Sequence, residues 1–242
     1  MPIALNSNIG RSCNTIQGFI FSWAGHEQRA MALERKIAAL LPVTVINSES
    51  AARRNEHWVH LDESAYFSEQ WNRAMRMFDA DLMFHVQADA DSDHFADIVS
   101  KARSLFRRCP IGVYEPYVDY TDICYDRSQL GEIAPGVMQV PWTDCSCWFI
   151  HGDVVRLCPP FDLSVNVYGW GICRAIAAIT SSMGLVCVRD YSYDVRHPKR
   201  RGYPSSAALQ QLHAYVAGLP AELRAEIRRL ERMRGVTGVR PE

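Results

Sequence analysis

The chain has 242 residues, of which 48% are hydrophobic and 22% charged, a composition typical of a folded protein with one sizeable core. The formal net charge of -1 excludes a strong overall attraction to nucleic acid, so we expect no nucleic-acid partner. The sequence shows no C-x-x-C pair, no signal-peptide pattern at the N-terminus and no apolar run of membrane-spanning length. These features predict a cytoplasmic protein with reduced thiols.

Short apolar runs alternate with amphipathic helical patterns in the first half of the chain. Such runs are typical of buried strands, and apolar spacings of three and four are typical of helices. The predicted strands are 18–23, 43–46, 82–86 and 111–117, and the predicted helices are 30–41, 64–78 and 95–106. This order predicts an α/β fold with a mainly parallel central sheet flanked by helices, in which ligands bind beyond the carboxyl ends of the strands.

The regular alternation ends near residue 118. Residues 118–141 are polar and aromatic without helical periodicity, so we expect a long functional loop or a hairpin over the site. Beyond them the sequence predicts a strand at 143–150, a helix at 172–183 closed by Gly184, and a last buried strand at 185–189. The segment 193–203, which holds His197, is predicted to be a loop.

A final helix, 220–234, begins at a proline and carries apolar residues on one face with arginines around it. The apolar residues are Leu223, Ile227 and Leu230, and the arginines are Arg224, Arg228, Arg229 and Arg232. This pattern is typical of a solvated surface helix and also of a basic helix that docks on an anionic membrane. The second interpretation predicts a peripheral contact at the inner face of a membrane.

Clustered carboxylates follow the predicted strand 82–86. Asp89, Asp91 and Asp93 are two residues apart, so in an extended or turned segment their oxygens can converge on one hard divalent cation. The alternative is an acidic turn that caps the helix starting near Phe95, because aspartate is favoured in turns and at helix N-termini.

Two later motifs complement this cluster: Gly169-Trp170-Gly171 before a predicted helix, and His197-Pro198 followed by basic residues and Gly202-Tyr203. Together the three stretches resemble a glycosyltransferase of the GT-A fold, and are most similar to bacterial enzymes that resemble the inverting glycosyltransferases of family 2 and the galactosyltransferase-like group with its Gly-Trp-Gly turn. The resemblance covers residues 18–203. It implies a Rossmann-like single domain over 1–242, with a nucleotide-sugar-binding half at 18–117, an acceptor half at 118–203 and a helical tail at 204–242.

The resemblance implies a divalent metal, Mn²⁺ or Mg²⁺, held by Asp89, Asp91 and His197. A metal at this place acts as a Lewis acid and stabilises the charge that grows on the leaving diphosphate. Asp93 either substitutes for one of the two aspartates or is solvated, and His197 is either the third ligand or a surface residue.

The resemblance also implies a pocket for a nucleotide-sugar donor, with a UDP-sugar as the first expectation. By position the pocket maps onto the ends of the first two strands, at Ser22, Trp23, Asn47 and Glu49. Arg73 and the basic run would contact the donor phosphates, where cationic side chains stabilise phosphate oxygens. The basic run consists of Lys199, Arg200 and Arg201. The alternatives are a core position for Trp23, a surface position for Arg73 and an exposed basic loop.

In related inverting enzymes an acidic general base follows the Gly-Trp-Gly turn, whereas Ile172 and Cys173 occupy that region here. A thiol replaces a carboxylate in this role only in a strongly perturbed environment. Either Asp144, just before a predicted strand, is the base, or the base is missing and the activity is reduced or altered. Trp170 would form a flat apolar wall for a sugar ring.

The sequence therefore predicts a metal-dependent transferase that moves a sugar from a nucleotide donor to a hydroxyl of a glycan or lipid-linked glycan, in bacterial surface-polysaccharide assembly. A nucleotidyltransferase of similar fold is the first alternative. It should carry a glycine-rich, basic phosphate loop after the first strand, but residues 22–26 contain one glycine and no lysine. A nucleotide-sugar- or carbohydrate-binding module, motivated by Cys173, is the second.

Overall fold

A single large sheet organises the computed structural model, which describes residues 15–49, 55–119, 121, 123–198 and 203–233, and the backbone of 236–239. Its first half contains β1 (Ile16–Trp23), α1 (Glu27–Ala38), β2 (Val43–Ser48), β3 (Val59–His60), α2 (Phe67–Met77), β4 (Leu82–Gln87), α3 (Phe95–Arg108) and β5 (Ile111–Val118). Its second half contains β6 (Ile123–Tyr125), a short 3-10 helix (Arg127–Gln129), β7 (Glu132–Ala134), β8 (Val137–Val140), β9 (Cys147–His151), α4 (Gly152–Leu157), α5 (Ile172–Ser182), β10 (Val186–Val195), α6 (Ser205–Gly218), α7 (Ala221–Glu231) and β11 (Val236–Val239).

Within these ranges nine strands form the sheet in the order β3-β2-β1-β4-β9-β5-β10-β8-β7. The strands β1 to β4 pair in parallel, and so do β5 and β10. By contrast, β9 is antiparallel to both β4 and β5, and β8 is antiparallel to β10 and β7. The predicted α/β fold is confirmed, and the two reversed strands make its sheet mixed.

Both faces of the sheet are covered by helices, which explains why the strands are apolar on both sides. On β1, Ile20 packs in a core with α1 and α3, whereas Phe19 and Phe21 pack in a second core with α2, α4, α5 and α7. The helices that face the sheet do so with residues at helical spacing, such as Leu33 and Ile37 of α1. The carboxyl ends of β1, β2 and β4 therefore lie at one edge between the two helical layers.

The structure differs from the predicted elements mainly beyond residue 118. Residues 132–140 form the hairpin β7–β8 at the sheet edge, and β10 extends to Val195 because its end pairs with Tyr117 and Val118 of β5. The predicted loop from residue 193 therefore starts in what is still a strand. The helix α6 lies in the expected helical tail, 204–242, although no pattern had given it bounds of its own, and β9 begins at Cys147 rather than at residue 143.

The apolar face of α7 is packed on the protein. Leu223, Ile227 and Leu230 are all less than 9% exposed and belong to the core shared with α5. The membrane-docking interpretation of this face is therefore wrong, because the same side chains cannot also enter a bilayer. Arg228 on the opposite side is exposed. Within the described ranges, we find no helix with the length and hydropathy needed to span a membrane.

Candidate donor and metal site

Buried polar side chains mark the carboxyl ends of β1 and β2. Ser22 and Asn47 are paired in the sheet register and both are 0% exposed. The hydroxyl of Ser22 and both polar atoms of the Asn47 amide lack a hydrogen-bond partner among the described residues, and the same is true of His60 Nδ1 on β3. Buried polar atoms are nearly always paired in folded proteins, so this group is a polar site suited to a ligand.

The neighbouring predicted donor residues lie around this group. Trp23 is half-buried, and its ring is 4.4 Å from that of His26, while Glu49 is half-buried with Oε2 unpartnered in the described part of the chain. Gln70 of α2, which was not predicted from the sequence, donates to the Ser22 carbonyl at 2.6 Å. Arg73 is on the exposed side of α2, away from the side that faces the sheet.

Asp89 and His197 meet beyond the end of β4. Asp89 Oδ1 is 3.3 Å from His197 Nε2, and the two side chains are 5% and 14% exposed. The backbone N–H of His197 donates to Asp119 at 2.8 Å, and Gln87 Oε1 is 3.3 Å from Nε2. Burial opposes protonation of His197, but the adjacent Asp89 carboxylate and the charges of Asp144 and Asp119 outweigh it and raise the pKa of His197.

Asp91 has different partners. Its carboxylate is 2.6 Å from Lys36 Nζ and 3.1 Å from Arg196, which also binds Asp93 at 3.0 Å. The backbones of Asp91 and Arg196 exchange two hydrogen bonds, of 2.9 and 2.8 Å. Burial would raise the pKa of Asp91, but hydrogen bonds and charge from Lys36 and Arg196 hold it below its usual value. These contacts fasten the acidic loop to the segment that carries His197.

The structure thus brings together two of the three predicted metal ligands. Among the described residues, no group of three His, Cys, Asp or Glu side chains is arranged to hold a metal. Asp89 and His197 nevertheless fit a cation that takes its remaining ligands from diphosphate and water oxygens, as Mg²⁺ does in phosphate-transfer sites. His197 Nδ1 is buried without a partner in the described part of the chain, so the ring is not committed to a structural hydrogen bond through that nitrogen.

Asp144 lies between β8 and β9. The backbone carbonyl of Ser146, two residues further on, accepts the N–H of Gln87 at the end of β4, so Asp144 lies at the same edge of the sheet. The Asp144 carboxylate accepts hydrogen bonds from Thr121 at 2.8 Å, from the Cys145 N–H at 2.6 Å and from Ser146 at 3.2 Å. Such local hydrogen bonds are those expected if Asp144 has a structural role.

A buried ion pair that was not predicted from the sequence supports Asp144. Glu115 on β5 and Arg189 on β10 are 0% and 1% exposed, and Glu115 Oε2 is 2.5 Å from Arg189 Nε. Glu115 Oε1 accepts the Asp144 N–H at 2.6 Å. Burial raises the pKa of Glu115 to about 7, although Arg189 favours the ionised form. The sequence does place a glutamate and an arginine inside two predicted apolar strands, which could have indicated a buried ion pair. Nothing in the sequence, however, indicated that these two strands are neighbours in the sheet.

The Gly169-Trp170-Gly171 turn leads into α5. Both glycines have positive φ, of 79° and 96°, and a Cβ at Gly169 would lie 2.2 Å from the Phe67 ring. Trp170 is half-buried and its indole N–H donates to the Tyr203 hydroxyl at 2.9 Å. Burial raises the pKa of Cys173 to about 12, so this thiol stays protonated and cannot replace a carboxylate base.

The predicted phosphate contacts Lys199, Arg200 and Arg201 lie outside the described residues. The described cations that bind the acidic loop are instead Lys36 and Arg196, neither of which was predicted. Arg196 could have been selected from the sequence because it directly precedes His197. The signal for Lys36 was weaker, because a lysine on a surface helix is common.

Comparison with protein-family models and with curated protein sequences gives no match. Solved structures do match. GalNAc-T7, solved with UDP, GalNAc and Mn²⁺, is 12% identical with a TM-score of 0.61, covering 87% of this chain and 49% of its own. The mannosyltransferase PcManGT from Pyrobaculum calidifontis, in complex with GDP-Man and Mn²⁺, is 13% identical with a TM-score of 0.57, covering 89% of this chain and 68% of its own.

These two structures are glycosyltransferases with the GT-A fold, and this chain has the same fold. It spans about half the length of the GalNAc-T7 chain. At such low sequence identity the likeness concerns the fold, so the function has to be argued from the site.

Proposed function

We propose that this protein is a metal-dependent glycosyltransferase that moves a sugar from a nucleotide-diphosphate donor to a hydroxyl acceptor. The observation that carries the proposal is the Asp89–His197 pair at the same sheet edge as Ser22 and Asn47, whose side-chain polar atoms have no partner among the described residues. A pair of metal-ligating side chains beside a buried polar pocket suits a nucleotide diphosphate with a bound cation. The two similar structures hold a nucleotide or nucleotide-sugar together with Mn²⁺.

In this proposal Asp89 and His197 hold the metal, which when bound supplies a Lewis acid for the leaving diphosphate. Asp144 accepts the proton of the acceptor hydroxyl, and Trp170 forms an apolar wall for a sugar ring. Ser22, Asn47 and Glu49 bind the nucleoside, together with Trp23. Lys199 and Arg200 remain proposed phosphate contacts, and Asp91 anchors the loop through Arg196.

The finer assignments follow the resemblance in the sequence. We propose a UDP-linked hexose as donor, Mn²⁺ or Mg²⁺ as metal, and a glycan or lipid-linked glycan as acceptor, in cytoplasmic assembly of a bacterial surface polysaccharide. In this proposal residues 18–117, with Asp89, bind the nucleotide-sugar, and residues 118–203, with Asp144 and His197, bind the acceptor. Both ranges contribute strands to one sheet. The reaction would therefore take place where the two halves meet.

Hydrolysis of a panel of UDP-, GDP- and dTDP-sugars, with and without Mn²⁺ or Mg²⁺, tests the proposal. We expect slow, metal-stimulated release of nucleoside diphosphate from one donor class, and its loss in Asp89→Asn. Arg73→Gln, on the exposed side of α2, tests the remaining predicted phosphate contact by the same hydrolysis assay. A loss of activity would mean that Arg73 contacts the donor, and an unchanged activity would mean that it contributes only surface charge. Absence of metal-stimulated turnover with every donor would refute the enzymatic function.

A binding module is the second candidate, because the protonated thiol of Cys173 cannot supply the base expected after the turn. The two functions differ in one measurement. A module binds a nucleotide-sugar in calorimetry and leaves it intact over long incubation, whereas the enzyme consumes it. The nucleotidyltransferase is disfavoured, since the segment between β1 and α1 has one glycine, Gly25, and no lysine.

A further inference from the structure

Three tyrosines from distant parts of the chain form a ring cluster at the carboxyl edge of the sheet. The rings of Tyr168 and Tyr203 are stacked, with centroids 4.5 Å apart and planes 17° apart. The Tyr66 ring stands edge-on to both, at 5.1 and 6.4 Å. Tyr66 is 43% exposed and the other two rings are partly exposed, so the cluster is accessible from solvent.

Hydrogen bonds fix the backbone beside Tyr168 and the hydroxyl of Tyr203. Gln211 of α6 accepts the backbone N–H of Val167 at 2.9 Å and of Tyr168 at 3.3 Å, and the Val167 carbonyl accepts the Ser68 N–H of α2 at 3.2 Å. The Tyr203 hydroxyl accepts the indole N–H of Trp170. A preformed aromatic surface binds a ligand without a large ordering cost, which is the property expected of a recognition site.

The cluster also adjoins the proposed donor pocket. The Tyr66 carbonyl accepts the N–H of Gln70, one helical turn along α2, and the Gln70 amide donates to the Ser22 carbonyl at 2.6 Å. Trp170, the proposed sugar wall, contacts Tyr203 from the other side. The three tyrosines therefore border the place where an acceptor would approach the donor sugar.

We propose that Tyr66, Tyr168 and Tyr203 form a subsite for a pyranose ring of the acceptor, an inference that rests on the proposed function. A pyranose has an apolar C–H face and a rim of hydroxyls. Tyrosine matches it, since each ring offers an apolar face and a hydroxyl that donates and accepts hydrogen bonds. The loop that carries Tyr168 also exposes two apolar side chains, Leu163 and Val165, which are 41% and 37% exposed. A saccharide is the chosen occupant because the tyrosine hydroxyls would be poorly matched to a purely aliphatic chain.

The test uses saturation-transfer NMR with the full chain and methyl glycosides of glucose, galactose, mannose and N-acetylglucosamine, together with transfer kinetics for any glycoside that accepts sugar. Tyr66→Ala should weaken glycoside binding and raise the acceptor KM about tenfold, equivalent to ~1.4 kcal/mol. The donor KM should change much less. Tyr66→Phe keeps the ring and should retain most of the binding. Leu157→Ala, which removes a 47% exposed side chain on α4, should behave as the wild type.

The outcomes separate this inference from the proposed function. Donor hydrolysis without any glycoside signal, or with equal signals in wild type and Tyr66→Ala, would overturn the subsite and leave the transferase standing. Glycoside binding that depends on Tyr66, without turnover of any donor, would support the subsite and refute the transferase. Saturation transfer to farnesyl phosphate but to none of the glycosides would overturn the inference in favour of a lipid.

Discussion

At the scale of single residues, the two aspartates predicted to hold the metal, Asp89 and Asp91, have different partners. The Asp89 side chain is buried beside His197, whereas the carboxylate of Asp91 is bound by Lys36 and Arg196. A carboxylate already paired with two cations has less capacity to coordinate a metal than one that faces a histidine. The two residues most suited to hold a cation, Asp89 and His197, are therefore 108 positions apart in the sequence (197 − 89).

Asp89→Asn and His197→Ala should each weaken Mn²⁺ binding at least about tenfold, since even residues behind a ligand contribute this much. Asp91→Asn should weaken it much less. Titration of Mn²⁺ by electron paramagnetic resonance in the presence of UDP measures the affinity independently of catalysis. If Asp91→Asn lost as much affinity as Asp89→Asn, Asp91 would have to leave its ion pairs when the metal binds.

Asp144→Asn should lower the rate of transfer by about 10² to 10⁴-fold, the usual contribution of a general base. Donor affinity should remain close to that of the wild type, because the amide fills the same volume, its oxygen can still accept the Cys145 N–H, and its NH2 can donate to the Thr121 hydroxyl. Single-turnover kinetics and calorimetry with the donor separate the two quantities. An unchanged rate would remove Asp144 from the mechanism, and Thr121→Val is the control for its local hydrogen bonding.

At the scale of elements, the Gly169-Trp170-Gly171 turn fixes how α2, α5 and α6 meet. Gly169 has a φ of 79° and lies against the Phe67 ring of α2, whereas Gly171 lies against Tyr215 of α6. A side chain at Gly169 would be strained by its backbone conformation and would collide with a ring in the core. The turn therefore places Trp170 through backbone constraints as well as through its own hydrogen bond.

Gly169→Ala should destabilise the protein by more than the ~1–2 kcal/mol of a left-handed alanine alone. Gly184→Ala is the matched control, because Gly184 has a similar φ of 74° but nothing lies within 4 Å of the position that an alanine methyl would take. Urea denaturation gives the free energy of unfolding of both variants. Equal losses would mean that Phe67 moves aside at no cost and that the close packing of the turn is unimportant.

At the scale of the whole molecule, a buried histidine links folding to pH. His85 on β4 is 0% exposed, accepts the Trp148 indole N–H at 3.0 Å, and is surrounded by the rings of Phe21, Phe67 and Trp71. Burial lowers the pKa of His85 from 6.5 to about 3. Its contribution to stability is therefore fully present above pH 6.5 and is lost as the pH falls towards 3, because the unfolded chain takes up the proton first.

Between pH 7.5 and pH 5 this histidine should remove about 2 kcal/mol from the free energy of unfolding. His85→Gln keeps an acceptor for Trp148 and has no titrating ring, so its stability should fall less over the same range. Urea denaturation at the two pH values measures both losses, and groups common to both proteins cancel in the difference. Equal losses would show that His85 is not kept neutral by the core.

The order and nature of the main elements follow from the sequence alone, because strand and helix periodicity is a local property of the chain. That periodicity located β1, β2, β4 and β5 within a few residues and placed the acidic cluster at a carboxyl strand end. Ser22, Asn47, Asp89 and His197 were also selected from the sequence. The first three follow from the general rule that ligands bind at this edge of an α/β sheet.

Which of these side chains meet depends on the tertiary structure. The reversed strand β9, placed between β4 and β5, brings Asp144 to the edge, and the pairing of β5 with β10 joins Glu115 to Arg189 across 74 positions. Only the structure shows that Asp91 is paired with two cations, Lys36 and Arg196, from distant parts of the chain. Likewise, the burial of Leu223 decides the role of the apolar face of α7. Side-chain direction and long-range ion pairs depend on strand order, which local periodicity does not encode.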